Sequence, residues 1–203
     1  FEQAAAVPIS AFTALQAVRD HGEVKAGQKG LVIGASGSVG TFAVQIAKSY
    51  GAEVTGVGSA RNEELVRSIG ADRYVDYGQQ EITDTGVQYD VILDTAGNRP
   101  LSLLRSALTK NGILVIVGGT GGKWLMGVGR SIRASMMSSF VTHKLRMFLA
   151  KNNKKDLGVL KDLIESGQVT TVIDKTFPMS ETPEAVLHVG EGHTQGKTVI
   201  TLN

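Results

Sequence analysis

Apolar positions along the chain fall into two alternating patterns. Short apolar runs bounded by glycine, such as "GLVIG" at 30–34 and "GILVIVGG" at 112–119, alternate with stretches whose apolar residues recur every three or four positions, such as "VGTFAVQIAKSYG" at 39–51. The first pattern marks a buried strand and the second an amphipathic helix, so the alternation predicts βα units. Strands are expected at 30–34, 53–57, 73–77, 89–97 and 112–119. Helices are expected over 39–51, closed by Gly51, over 62–70, with Asn62 as N-cap and acids in the first turn, and over 100–109. Runs this apolar are covered on both faces, which predicts a parallel sheet with helices on either side: a doubly wound α/β fold.

The rest of the pattern is less regular. Residues 118–135 are glycine-rich and read as a long loop, and "SSFVTHKLRMFLA" at 138–150 reads as a strand in preference to a helix. A helix over 154–167, a strand at 170–177, a helix after Pro183 and a last strand at 197–202 complete the chain. The first twenty residues read as helical packing material interrupted at Pro8.

One turn carries a chemical signal. The first strand runs into Gly34, Ala35, Ser36, Gly37, Ser38, Val39 and Gly40, an A-x-G-x-x-G spacing with an extra glycine ahead of it. In the dinucleotide-binding fingerprint the first small residue permits the tight turn, the second lets backbone approach a pyrophosphate, and the third lets helix pack on strand. Here the spacing follows a predicted strand, opens a predicted helix and lies inside a βαβ unit, the context that gives it meaning. The doubly wound fold is therefore read as a Rossmann fold. Two competing motifs fail. "EGHTQGKT" ends like a phosphate loop, but Glu191 stands where its first glycine is required. The short-chain dehydrogenase pair, a tyrosine with a lysine four residues on, is absent: Val54, Gly78, Glu81 and Leu93 follow the four tyrosines at that distance.

Composition narrows the classes further. With 203 residues, 42% of them hydrophobic, the chain can bury one domain's core. A net charge of +2 gives no ground for nucleic acid or an acidic membrane surface, and no apolar run reaches the ~20 residues of a membrane helix. The absence of cysteine removes disulfides, thiolate zinc sites and thiol catalysis, and fits a reducing, cytoplasmic setting. Eight Lys or Arg with no Asp or Glu between Lys123 and Lys155 read as a solvated face or interface, since aromatic interleaving is sparse there.

Taken together, "AAAVPISAFTALQAV", "LVIGASGSVGTFAVQIAKSYGAEVTGVGSARN", "LVRSIGADRYVDY", "DVILDTAGN", "GILVIVGG" and "EGHTQGKTVITL" resemble medium-chain dehydrogenases/reductases, in particular their zinc-independent quinone oxidoreductase branch. The resemblance implies that 1–203 is the NAD(P)-binding Rossmann domain, with a leading helical segment at 1–25 and a tail at 178–203 returning toward an N-terminal catalytic domain that would precede Phe1. It also implies a homodimer and zinc-independence: a zinc-ligating cysteine of other members aligns with Ile9, which cannot coordinate a metal.

Candidate cofactor residues follow from the strand ends, where doubly wound sheets bind ligands. They are Ala35, Ser36, Gly37, Ser38, Val39 and Gly40 for the pyrophosphate, Thr95, Ala96 and Gly97 after the fourth strand, and Val117, Gly118 and Gly119 after the fifth, which the resemblance sets against the nicotinamide. An NAD site usually has an acid ~20 residues beyond the turn, at the end of the second strand. Val57 and Gly58 stand there instead, followed by Ser59 and Arg61, which suit a 2′-phosphate. The resemblance adds Tyr77 beside that phosphate. The expected cofactor is NADPH (NADP). The expected activity is reduction of a quinone-like or α,β-unsaturated carbonyl substrate, with catalytic residues not assignable from this chain. A Rossmann module that senses NADPH without turnover remains the alternative. His21, His143 and His188 show no metal-ligand spacing, and His193 is a weak site candidate in the tail.

Overall fold

The computed structural model describes residues 1–117 and 143–202. Its centre is a six-stranded sheet made of β1 (Lys29–Ile33), β2 (Glu53–Gly58), β3 (Arg73–Asp76), β4 (Tyr89–Asp94), β5 (Leu108–Ile116) and β6 (Lys144–Met147). The strand order is β3-β2-β1-β4-β5-β6 and every pairing is parallel. The chain therefore builds outward from β1 in one direction, returns, and builds outward in the other. The crevice between the ends of β1 and β4 is the switch point where such folds bind ligands.

Period-two alternation explains why the strands read as continuous apolar runs. Val32, Val91, Leu93 and Val115 pack on one face with α2 (Ser10–Gln16) and α3 (Ser38–Ser49). Leu31, Ile33, Ile92, Leu114 and Ile116 pack on the other with Leu104 of α5 (Leu101–Ser106). Two buried faces demand apolar residues at every position. Pro8 breaks the first helical segment as expected, leaving α1 (Glu2–Ala6) and α2, with a π-turn over Ala17–His21.

The remaining elements are α4 (Glu63–Ser68), α6 (Lys154–Glu165), β7 (Ile173–Pro178), α7 (Thr182–Gly190) and β8 (Lys197–Thr201). The last three form a small βαβ unit with its own parallel two-stranded sheet. Two glutamines tie this half of the chain to the main body. Gln16 Nε2 donates to the Lys151 carbonyl at 2.7 Å while its Oε1 accepts from Lys151 N–H at 3.0 Å. Gln45, buried on α3, treats Thr170 the same way, donating to its carbonyl at 2.9 Å and accepting its N–H at 2.7 Å.

Boundaries differ from the sequence reading in two places with visible causes. The expected strand at 170–177 begins only at Ile173, because the Thr170 backbone is taken by Gln45. The expected helix at 100–109 ends at Ser106, because Leu108 already pairs with Tyr89 and the Ala107 carbonyl accepts the Tyr89 N–H. The strand expected within 138–150 is present as β6, and the loop expected at 118–135 lies outside the described residues.

Candidate functional site

The turn after β1 shows why each glycine is there. Gly34 has φ +78°, and a Cβ on it would sit 2.6 Å from Thr95 Oγ1, so the tight turn belongs to Gly34 and not, as the spacing suggested, to Ala35, which is fully buried. A Cβ at Gly40 would fall onto the Gly34 carbonyl oxygen and within 2.8 Å of Ala35 Cα, so Gly40 is what lets α3 pack against the turn. Gly37 is different. The nearest protein atom to a Cβ there is the Gly34 carbonyl oxygen at 3.4 Å, an ordinary contact, so the protein itself would tolerate a side chain. Gly37 is also the cap of α3, without a side-chain cap bond, and it lines a cavity. Space is left there for something other than protein.

That cavity, about 270 Å³, opens where β1, β2 and β4 end. Of the sequence-predicted residues, Ser36, Gly37, Ser59, Arg61, Tyr77, Thr95 and Ala96 line it. Ala35, Ser38, Val39, Gly40, Gly97 and Val117 do not, and Gly118 and Gly119 lie outside the described residues. Several of these residues have structural work. Thr95 Oγ1 donates to the Ile33 carbonyl at 2.7 Å, Gly97 N–H donates to buried Asp94 at 2.8 Å, and Val117 N–H donates to the Asp94 carbonyl at 2.9 Å. Ser38 Oγ donates to the Gly196 carbonyl at 2.7 Å.

The tail closes one side of the site, which local patterning could not show. Gly196 N–H donates to the Ser36 carbonyl at 2.8 Å, and Gly196 itself (φ +82°) presses against Val172 so closely that a side chain is excluded. Gly192, His193 and Thr194 line the cavity, and Arg61 donates to the His193 carbonyl at 3.4 Å. The "HTQGK" segment is thus packed against the glycine turn after β1.

Charge in the cavity is one-sided. Its lining includes Arg61 and Arg99 and no carboxylate. Arg99 escaped sequence reasoning because nothing in "AGNRP" distinguishes a buried arginine from an exposed one. Its side chain is only 9% exposed, its Nε makes no hydrogen bond among the described residues, and Glu81 approaches no closer than 3.7 Å. Its guanidinium carbon stands 6.0 Å from the centre of the Tyr77 ring. A buried cation this weakly compensated favours an anionic ligand. The end of β2 is equally telling. A Cβ at Gly58 would collide with the Tyr74 hydroxyl, which donates to the Ser59 carbonyl at 2.8 Å, so no acid can occupy that position without displacing Tyr74. Burial, reinforced by Asp76 and Glu63, pushes the Tyr74 phenol up to about 12, which keeps it a donor.

Asn62 departs from its expected role. It occupies the N-cap position of α4, but its side chain makes no capping bond and is buried against the turn and the tail. The other candidates for chemistry are placed elsewhere. His21 stacks on Phe148 at 4.1 Å and burial lowers its pKa, while His188 meets Asp174 at 2.6 Å. From the basic run, Arg146 and Lys144 face Glu23 at 2.7 and 3.8 Å. Ile9 has φ 63° and is exposed, and no cluster of three metal-ligating side chains exists among the described residues. No helix among them is long and apolar enough to cross a membrane.

A family description, "Zinc-binding dehydrogenase", matches residues 69–200. The chain belongs to this family. Within it the likeness runs to the quinone oxidoreductase branch of the medium-chain dehydrogenases/reductases. The mouse (Mus musculus) mitochondrial NAD(P)H oxidoreductase RTN4IP1 is 34% identical over 98% of this chain and 55% of its own length. An Arabidopsis thaliana NADPH-dependent alkenal/one oxidoreductase of the chloroplast is 33% identical over 98% of this chain and 47% of its own. The chain thus spans about half the length of these relatives. The quinone oxidoreductase of Coxiella burnetii superposes with a TM-score of 0.83 at 26% identity, over 99% of this chain and 61% of that one. The compartments in the relatives' names are organelles, so they do not support the cytoplasmic expectation.

Proposed function

We propose that this chain is the cofactor-binding part of an NADPH-dependent reductase of quinone-like or α,β-unsaturated carbonyl substrates, working in a reducing compartment. The observation that carries the reading is the cavity at the ends of β1, β2 and β4, which is walled by Arg61, Arg99, Ser36 and Ser59 with no carboxylate. A bound nicotinamide cofactor supplies the hydride. This chain's part is to hold the dinucleotide: the uncapped start of α3 at Gly37 faces the pyrophosphate, and Ser59, Arg61 and Tyr77 take the 2′-phosphate. Thr95, Ala96, Val117, Gly118 and Gly119 belong to the path toward the nicotinamide in the same proposal. The names of the relatives, NAD(P)H and NADPH oxidoreductases, support it.

The segments at 1–25 and 178–203 are proposed to pack toward a separate catalytic domain, which supplies the substrate pocket. The exposed Val186, Leu187 and Val189 of α7 and Leu202 beyond β8 support this arrangement. The edge strand β6 is where a second copy would pair in a homodimer.

Titration of the protein with NADPH and with NADH tests the reading. A charge-assisted hydrogen bond contributes roughly 1.5–3 kcal/mol, so Arg61→Ala should weaken NADPH binding about ten-fold or more. NADH binding should barely change. Wild-type binding of NADH as tight as NADPH would end the proposal.

A further inference from the structure

Two serines line the phosphate corner, and one buried amide touches both. Asn62 Nδ2 donates to Ser36 Oγ at 2.8 Å and to Ser59 Oγ at 3.2 Å. Its Oδ1 accepts from Gln195 Nε2 of the tail at 2.7 Å. The side chain is nearly sealed, with Asn62 only 7% exposed.

The consequence lies in the hydroxyl protons. A serine hydroxyl has one proton to donate and two lone pairs to accept with. Each serine accepts from Asn62 through one lone pair, and neither donates its proton to a protein acceptor among the described residues. Both hydroxyls line the cavity beside Arg61. We infer that Asn62 is a positioning residue for the phosphate site: it occupies one lone pair of Ser36 and one of Ser59 and offers neither an acceptor, so that both hydroxyls are oriented to donate toward a phosphomonoester on the ribose 2′-oxygen, and Gln195 anchors the amide from the tail. The inference rests on the NADPH reading above, and concerns selection of the 2′-phosphate rather than hydride transfer. It also accounts for the missing helix cap, since the capping atom would be Oδ1, and that oxygen is committed to Gln195 instead of to an N–H of α4.

Adenosine 2′,5′-bisphosphate and adenosine 5′-monophosphate differ only in the 2′-phosphate, so their dissociation constants from the 203-residue protein, measured by calorimetry, isolate the effect. Asn62→Ala should weaken the bisphosphate about ten-fold and the monophosphate less than about two-fold. In a Ser36→Ala, Ser59→Ala background the same substitution should have no further effect, because the residue acts through those hydroxyls. If Asn62→Ala does not fold, the isosteric Asn62→Asp takes its place. Its carboxylate accepts both serine protons, and loss of discrimination should be larger still. Equal weakening of both ligands, or an effect that persists without the serines, would overturn the inference and leave the NADPH reading standing. A wild type that does not prefer the bisphosphate would overturn both.

Discussion

The phosphate corner and the junction of α2 with α6 are built from the same materials and come out opposite. Each has a buried polar side chain gathering amides and an arginine beside a hollow. At the junction, the Asp156 carboxylate, 4% exposed, accepts from Gln16 Nε2 at 2.7 Å, Asn153 Nδ2 at 2.7 Å and Arg19 Nη2 at 2.8 Å. Arg19 is shared with Asp20 at 2.6 Å, and the adjoining hollow of about 630 Å³ has acids and bases side by side. Arg19, Asp20 and Asp156 answer one another from within. At the cavity corner proposed to take the phosphate, Arg61 bonds only a backbone carbonyl among the described residues, Arg99 is weakly compensated, and two serines donate to no protein acceptor among those residues. A closed network of this kind holds elements together, while the open one leaves donors of a single sign lining a cavity. Burial of polar groups alone does not tell them apart. The count of unanswered donors does.

The sharpest way to break the comparison is to remove the hub of the closed network. Asp156→Ala leaves Arg19 without its buried partner and strips an acceptor from Gln16 and Asn153, so unfolding in urea should show a loss of about 3 kcal/mol. Binding of NADPH by the folded fraction should not change. Arg61→Ala, at an exposed position, should show the mirror image: weakened NADPH binding with stability within about 0.5 kcal/mol of wild type. If both variants lost stability alike, the distinction between the two networks would fall.

A smaller effect follows from charge. Burial by itself raises the Asp156 carboxyl, but the hydrogen bonds from Gln16, Asn153 and Arg19 and the Arg19 charge outweigh it and hold the group below its ordinary value. A depressed carboxyl contributes stability that is fully present above the unfolded-state value near ~4 and is lost as pH falls through the lower folded value. The stability gap between wild type and Asp156→Asn should therefore stay constant from neutral pH down to about 4 and shrink below it. Urea titrations across that range check the sign.

The two regions also differ in how far they could be read from sequence. The glycine turn is legible because Gly34, Gly37 and Gly40 act within seven residues, and strands β1, β2, β4 and β5 announce themselves through runs that two buried faces require. The end of β2 was read correctly as lacking an acid, but the reason, Tyr74 lying over Gly58, is a contact between strands. Asn62 was misread because an asparagine before two glutamates has a local explanation as a cap, and its real partners, Ser36 and Gln195, are 26 and 133 residues away. Gln16, Gln45 and Gly196 gave no local signal of their roles. Their partners lie 125 or more residues off, and no periodicity encodes such a pairing.

The finest test of the open network concerns His193. Its place in the cavity wall invites a role as a phosphate ligand, and an imidazolium there would add a third cation to Arg61 and Arg99. The hydrogen bond it makes in the structure, however, uses its backbone carbonyl, accepting from Arg61. A substitution that keeps the backbone keeps that bond. His193→Ala should therefore change NADPH affinity by less than about two-fold, below the effect of losing a single charge-assisted contact. Thr194→Pro, which restricts the backbone conformation of His193, should weaken binding more than removing the imidazole does. Calorimetric titration of the two variants side by side decides it. A ten-fold loss in His193→Ala with no loss in Thr194→Pro would show that the tail contributes a charged side chain, and that the wall holds three cations instead of two.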